Sequence, residues 1–368
     1  MYNDIGGFMR GLYIHIPFCN SLCKFCDFPK RINQNIELKK AYIKKIISDL
    51  QKLEDDLTFD TIYIGGGTPN SLSLELLEDL FINLLKLHLN ANFEFTIECN
   101  FELITEEQAK LFQKYHVNRI SMGIQTFNQK IGKYINRISD YNLCKEKIKI
   151  LQNYGITNIN GDFIFGLPYQ KIEDVQSDIN LIKTLDFKHV SYYSLILEDK
   201  SVLGHEIKNK LINLDDPDLV ADMYELIQKE FKTFDLNQYE ISNFAKKGFE
   251  AKHNIIYWEL DEYYGIGMSA ASFHHNMRYA NSKLINEYLQ DLNIVTEEVT
   301  DGEFFWLGLR LTNGVSLEKY RQKYQIDPYE KYPINVLISK GLVEVKNGYL
   351  KLTPYGLDHG NYVFEQFL

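Results

Sequence analysis

Six short β-rich runs, near residues 12–17, 61–65, 93–98, 119–125, 159–165 and 189–197, alternate with segments whose apolar residues recur at helical spacing, near 74–87, 106–115, 141–154 and 172–185. Alternation of this kind argues for a parallel α/β sheet, either open or curled into a barrel. Thr105 and Gln108 read as a capping box that opens the third of these helices. In such folds functional groups collect at the C-terminal ends of the strands. Here the first strand ends at Pro17, Phe18 and Cys19, and the second at Gly65, Gly66, Gly67, Thr68 and Pro69. The third ends at Glu98, Cys99 and Asn100, the fourth at Gln125, and the fifth at Gly166, Leu167 and Pro168. Polar and glycine-rich features at the same end of successive strands are what one shared site requires.

Five cysteines occur. Cys19, Cys23 and Cys26 form C-x3-C-x2-C, whereas Cys99 and Cys144 stand alone. A secreted disulfide framework spreads more cysteines through a smaller chain, so the pattern fits a reducing compartment and a metal site. Thiolates suit iron–sulfur clusters and zinc. A structural zinc site commonly closes with four ligands, and no second C-x2-C is present. Three thiols fit a [4Fe–4S] cluster with one iron left open. Zinc, or a redox pair of Cys23 and Cys26 that leaves Cys19 unexplained, stands as the alternative.

The chain has 368 residues, 45% hydrophobic and 24% charged, an ordinary soluble composition. A net charge of −10 argues against long-range attraction to nucleic acid. No apolar run is long enough to span a bilayer, and the first residues lack a secretory pattern, so a cytoplasmic protein is expected. Past residue 200 the pattern changes: a helix over 215–234, then a segment rich in Tyr, Gly, Asn and His over 238–281. Helices near 303–311, 316–324 and 334–340 precede a hairpin about Asn347 and Gly348. This last part reads as a winged-helix-like module, taken as a structural element or lid rather than a DNA reader. The expected division is a core over 1–200, an extension over 201–295 and the terminal module over 296–368.

C-x3-C-x2-C after the first strand, with Gly65-Gly66-Gly67-Thr68-Pro69 after the second, resembles the radical S-adenosylmethionine (SAM) superfamily. The resemblance implies a partial (β/α)6 radical SAM barrel, an α+β extension, and SAM chelated on the open iron, where one electron cleaves it to a radical. The cofactor carries that chemistry and the protein supplies orientation and exclusion of water. The glycines let the backbone approach a ligand and offer N–H groups to an anionic one; the plainer reading is a tight strand–helix turn. Glu98, Gln125, Arg137 and Asp162 are polar groups near a sheet that need partners. They would pair with SAM, or else form a surface ion-pair network. The resemblance adds Gly66, Gly67, Thr68, Tyr13, Phe25, Ile196 and Ala271 to the SAM site.

Ile14-His15-Ile16-Pro17-Phe18-Cys19, Ser121-Met122-Gly123-Ile124-Gln125-Thr126-Phe127 and Phe165-Gly166-Leu167-Pro168 narrow the resemblance to the oxygen-independent coproporphyrinogen III oxidase-like group, which includes the HemW heme chaperones. It runs from about residue 11 to the C-terminus. The oxidase branch usually has a fourth cysteine where this chain has Phe28, and a longer segment before the cluster. The chaperone branch typically shows H-N-x-x-Y-W, matched by His253-Asn254-Ile255-Ile256-Tyr257-Trp258. Histidine is a natural axial ligand of heme iron, so His253 is the candidate heme ligand, with Tyr257 and Trp258 offering flat contact to the macrocycle. The alternative is that the His-Asn pair organises a turn and the aromatics are core. Phe101, Ser139 and Ala271 depart from the group's usual Pro, His and His. The resemblance therefore implies a protein that binds heme and passes it to apo-proteins, fed by an electron donor such as flavodoxin or ferredoxin, with peripheral contact to membrane proteins and none to nucleic acid. Coproporphyrinogen III oxidation, or radical chemistry on another substrate, is the competing expectation.

Overall fold

The computed structural model describes residues 8–32, 34–212 and 216–368. Its main sheet has twelve strands: β1 (Arg10–Ile16), β2 (Thr58–Gly66), β3 (His88–Asn100), β4 (Arg119–Gln125), β5 (Asn158–Phe165), β6 (His189–Ser194), β7 (Asn237–Gln238), β8 (Asn243–Ala245), β9 (Glu262–Ile266), β10 (Ala271–His274), β11 (Met277–Ala280) and β12 (Val295–Glu298). The order across the sheet is β12-β11-β10-β9-β1-β2-β3-β4-β5-β6-β8-β7. The expected partial barrel is thus an open sheet that is not closed on itself. Strands β9 and β1 to β6 run parallel. The remaining pairs are antiparallel.

Helices α1 (Ile36–Leu50), α2 (Leu74–Leu84), α3 (Glu106–Lys114), α4 (Gln129–Tyr134), α5 (Tyr141–Asn153) and α6 (Ile172–Ile182) connect the parallel strands. Strand residues alternate between two faces. One face is apolar: Leu12, Ile14, Ile62, Ile64, Phe95, Ile97, Ile120 and Met122 pack with helical residues such as Ile43, Leu77, Leu80 and Phe112 in one core. The opposite face carries Tyr13, His15, Thr61, Tyr63, Glu94, Glu98, Arg119, Ser121, Asn160 and Asp162, and lines the site described below. Only half of the Thr105 capping box forms: Thr105 accepts from the Gln108 amide at 3.2 Å, but the Gln108 side chain donates to the Asn70 carbonyl instead.

The segment 201–295 supplies α7 (Val202–Lys208), α8 (Pro217–Phe231) and α9 (Lys252–Trp258), and it extends the same sheet at both edges. The first residue of the helix expected over 215–234, Asp215, lies outside the described residues. At the C-terminus, helices Glu303–Gly308, Leu317–Tyr324 and Ile334–Ser339 pack in a separate core with strands Val315–Ser316, Val343–Lys346 and Tyr349–Leu352. The hairpin turn has both Asn347 and Gly348 at positive φ, 54° and 81°, as a tight two-residue turn demands. No helix among the described residues is long and apolar enough to cross a membrane.

Candidate functional site

The three clustered cysteines follow β1 and are half-buried: Cys19 ends a short strand, Phe18–Cys19, that pairs with Arg31–Ile32, and Cys23 and Cys26 lie in the loop between the two. The backbone N–H of Lys24 donates to the Ile135 carbonyl and the N–H of Leu203 to the Lys24 carbonyl, tying the loop to α4 and α7. Lys24 also pairs with Glu206 at 2.6 Å, and the Asn136 amide donates to the Leu22 carbonyl. Phe25, like Leu195, packs against the cluster of Ile131, Ile135, Ile164 and Leu167. Lys30 closes the loop by donating to the Cys26 carbonyl. Burial pushes the Cys19 thiol up, against the Thr68 hydroxyl that donates to its sulfur at 3.6 Å. Burial also raises Cys23, opposed by the Arg137 guanidinium 4.0 Å from its sulfur.

This donor set fits a [4Fe–4S] cluster with three protein ligands. Cys99 and Cys144 are buried in the core on the far face of the sheet and supply no fourth thiol. Among the described residues no group of three or more His, Cys, Asp or Glu side chains is placed to hold a single metal ion.

The glycine turn after β2 lies against the cysteine loop. A Cβ on Gly67 would fall 2.8 Å from the Cys19 sulfur, and one on Gly66 would fall 2.6 Å from the His15 ring, at φ +114°. A Cβ on Gly65 would meet Glu98 and the Tyr63 ring, both at 2.9 Å. Three glycines are therefore required by close packing, beyond what a turn needs. The expectation that their amides are offered to an anion is corrected. The Gly66 amide donates to Glu98 at 2.9 Å, and those of Gly67 and Thr68 to the carbonyls of Ile16 and Phe18.

Glu98 also accepts from the Tyr63 hydroxyl at 2.8 Å. Desolvation pushes its carboxyl up to about 7, against those two donors and with Asp162 adding to the rise. Burial likewise raises Asp162, which accepts from Ser121 at 2.7 Å and from Asn160 at 2.7 Å. Gln125 ends β4 at φ 69°, next to a register slip against β5, so a side chain is held in a left-handed conformation. Its side-chain amide oxygen is buried without a partner. Arg137 donates to the Asn100 side chain at 2.8 Å and to the Gly123 carbonyl, and its Nε is buried and unpaired. A cleft of about 420 Å³ opens beside it, lined by Ser21, Glu102, Arg137 and Ser139 among others.

The structure thus gathers Cys19, Cys23, Cys26, Phe25, Gly66, Gly67, Thr68, Glu98, Gln125, Arg137 and Asp162 around the C-terminal ends of the parallel strands. Tyr13 lies deeper, its hydroxyl 3.0 Å from His15 Nδ1. Ala271 lies in β10, one strand beyond β9. Ile196 is 73% exposed. His253 is elsewhere: only 1% exposed, in α9, with Nδ1 2.6 Å from the Thr61 hydroxyl and Nε2 2.8 Å from the Tyr257 hydroxyl. Burial pushes its imidazole down to about 3, so the ring is neutral. Both nitrogens are engaged, and the ring as it stands offers none to a heme iron. Sequence reasoning passed over His15 and Tyr63 as site residues. The signal was the period-two alternation that puts Tyr13 with His15, and Tyr63 with Gly65, on one face.

Residues 13–182 match the radical SAM superfamily, and residues 302–359 match the HemN C-terminal domain. The chain is 38% identical over 367 residues to the heme chaperone HemW of Lactococcus lactis subsp. lactis, covering 97% of this chain and 96% of that one. It is 35% identical over 378 residues to the heme chaperone HemW of Bacillus subtilis, covering 98% and 99%. Its fold matches that of coproporphyrinogen III oxidase (HemN) from Escherichia coli, a radical SAM enzyme, with a TM-score of 0.84 at 20% identity, over 99% of this chain and 91% of that one.

Proposed function

The chain belongs to the HemW family of radical SAM proteins, and from that premise we propose that it binds heme and transfers it to apo-proteins, with a [4Fe–4S] cluster and SAM as resident cofactors. The observation that carries this reading is the likeness along nearly the whole chain to proteins named heme chaperones. Phe28 supports it: the position where the oxidase branch usually has a fourth cysteine is an exposed phenylalanine.

Cys19, Cys23 and Cys26 would hold the cluster, and Gly66, Gly67, Thr68, Glu98, Gln125, Arg137, Asp162, Tyr13 and Phe25 would hold SAM. Bound together, cluster and SAM supply one-electron chemistry, for which an electron donor such as flavodoxin or ferredoxin is needed. The protein's part is placement. With the amides of the glycine turn spent inside the fold, its remaining backbone acceptors and the Glu98 carboxylate suit an ammonium group. The free Nε of Arg137 suits a carboxylate. Asp162 suits hydroxyl donors. Leu22, Phe28, Ile138, Tyr169 and Ile196 are exposed in the loops at this same end. Apolar groups that join into one patch mark a contact surface, and a flat macrocycle is a fitting guest for such a patch.

The test is heme transfer. Anaerobically reconstituted protein loaded with heme is mixed with a heme-accepting apo-protein, and the acceptor's Soret band is followed. Transfer, without turnover of coproporphyrinogen III when SAM and reductant are supplied, is expected. Protoporphyrinogen formation at the rate of an authentic oxidase run in parallel would replace the reading with the enzymatic one.

A further inference from the structure

Helix α9 lies on the polar face of the sheet, at the end away from the cysteines. Gly11, Thr61 and Glu94 pair side by side across β1, β2 and β3 near the N-terminal ends of the parallel run. The Glu94 carboxylate accepts from the amides of both Lys252 and His253 at 3.2 Å, capping the helix. Gly11 leaves the space that the His253 ring fills: a Cβ there would lie 3.1 Å from its Cε1. On the other side of α9, Arg310 of the C-terminal module lies 4.5 Å over the Trp258 ring, and Lys319 pairs with Glu259 at 3.3 Å. The helix is clamped between the two units.

From this clamp one continuous set of contacts runs toward the glycine turn. One nitrogen of the neutral His253 ring donates and the other accepts, to Thr61 and Tyr257 in one order or the other. The ring stacks on Tyr63 at 4.9 Å and 25°. The Tyr63 hydroxyl donates to one oxygen of Glu98, whose other oxygen accepts from the Gly66 amide. The bare Gly65 Cα is what lets Tyr63 and Glu98 pack this closely.

We infer that His253 is a positioning residue of the SAM site: locked by Thr61 and Tyr257, its ring fixes Tyr63, which holds Glu98 against the Gly66 amide. The inference rests on the reading that this cradle takes SAM. It gives the His-Asn-x-x-Tyr-Trp segment work that needs no heme ligation. It also places that work between the C-terminal module and the cofactor site, so the module's seating reaches the cradle through α9.

The experiment measures SAM affinity of the reconstituted full-length protein, from the change that added SAM makes in the electron paramagnetic resonance spectrum of the reduced cluster. Tyr63→Phe keeps the ring and its packing and removes one oxygen; His253→Ala removes the stack; His253→Asn restores one polar partner for Thr61. Hydrogen bonds to charged groups set the scale, so Tyr63→Phe and His253→Ala should each weaken SAM binding by about tenfold with cluster content intact. His253→Asn should recover part of the loss. The Soret maximum of heme-loaded His253→Ala should match the wild type. Unchanged SAM affinity in Tyr63→Phe, or loss of the heme band in His253→Ala with SAM binding intact, overturns the inference and leaves the cradle reading standing. A wild-type spectrum indifferent to SAM overturns the cradle reading, and this inference with it.

Discussion

The two ends of the parallel strands hold their motif residues differently, although both contain buried polar atoms without partners, Thr96 Oγ1, Arg119 Nε and Trp258 Nε1 among those toward the N-terminal end. At the N-terminal end, Thr61, Glu94 and His253 satisfy one another, and both nitrogens of a buried imidazole have partners. At the C-terminal end the needs are left open. The Gln125 side-chain amide oxygen and Arg137 Nε are buried without partners, Gln125 is held at φ 69°, and desolvation raises Glu98 to about 7. Unsatisfied buried polar groups and strained backbone cost stability and persist where function uses them. The difference teaches that a histidine in a recognisable motif can belong to the scaffold, while unremarkable residues such as Gln125 mark the site.

The largest expected effect breaks the comparison at its open end. Cys19→Ala, Cys23→Ala or Cys26→Ala each abolishes the four-iron spectrum after anaerobic reconstitution, whereas Cys144→Ala, in the core, leaves it intact. A wild-type spectrum in any of the three clustered variants would remove that residue from the site.

Next come the glycines. Gly66→Ala and Gly341→Ala both force a side chain to positive φ, at a cost of about 1–2 kcal/mol. Only Gly66 also meets a neighbour, the His15 ring, whereas Gly341 faces open space; overpacking adds about 1–3 kcal/mol. Urea unfolding should therefore rank Gly66→Ala well below Gly341→Ala. Equal midpoints would mean that the turn is looser than its packing implies.

At the closed end, Glu94→Gln keeps one acceptor oxygen but loses the charge that caps α9. A loss of about 1–3 kcal/mol is expected, with cluster content unchanged. A variant that unfolds normally but loses the cluster would show the two ends to be one unit.

The last effect is in pH. Glu98 titrates near 7 in the folded chain without SAM, above the usual carboxylate value of about 4.3 in the unfolded one. Between those values the folded state binds the extra proton, so Glu98 lowers the unfolding free energy as pH rises from about 4.3 to 7. Glu98→Gln should flatten that fall. Asp178, also raised to about 7 by burial, keeps its own share in both proteins, so the difference between the two curves is the readout.

Local pattern made much of this legible. The strand expected over 119–125 is β4 to the residue, because alternation and the flanking polar residues act within the strand itself. The cysteines and glycine turn carry their chemistry in their spacing. The return of β9 to pair with β1 was not legible, since nothing near Glu262–Ile266 encodes a partner some 250 residues earlier. Nor was the state of His253: a motif shows that an imidazole is present but not that Thr61 and Tyr257 use both its nitrogens. Ile196 was placed in the site by resemblance, and its side chain stands in the open.

The most direct test of the open end is the electron paramagnetic resonance spectrum of the reduced, reconstituted cluster, recorded with and without SAM. Three protein thiols leave one iron for a ligand, so SAM should shift the signal in the wild type, and Arg137→Ala or Gln125→Ala should need more SAM to produce the same shift. A four-iron signal that SAM leaves unchanged at any concentration would contradict the assignment of this end of the sheet as the cofactor site.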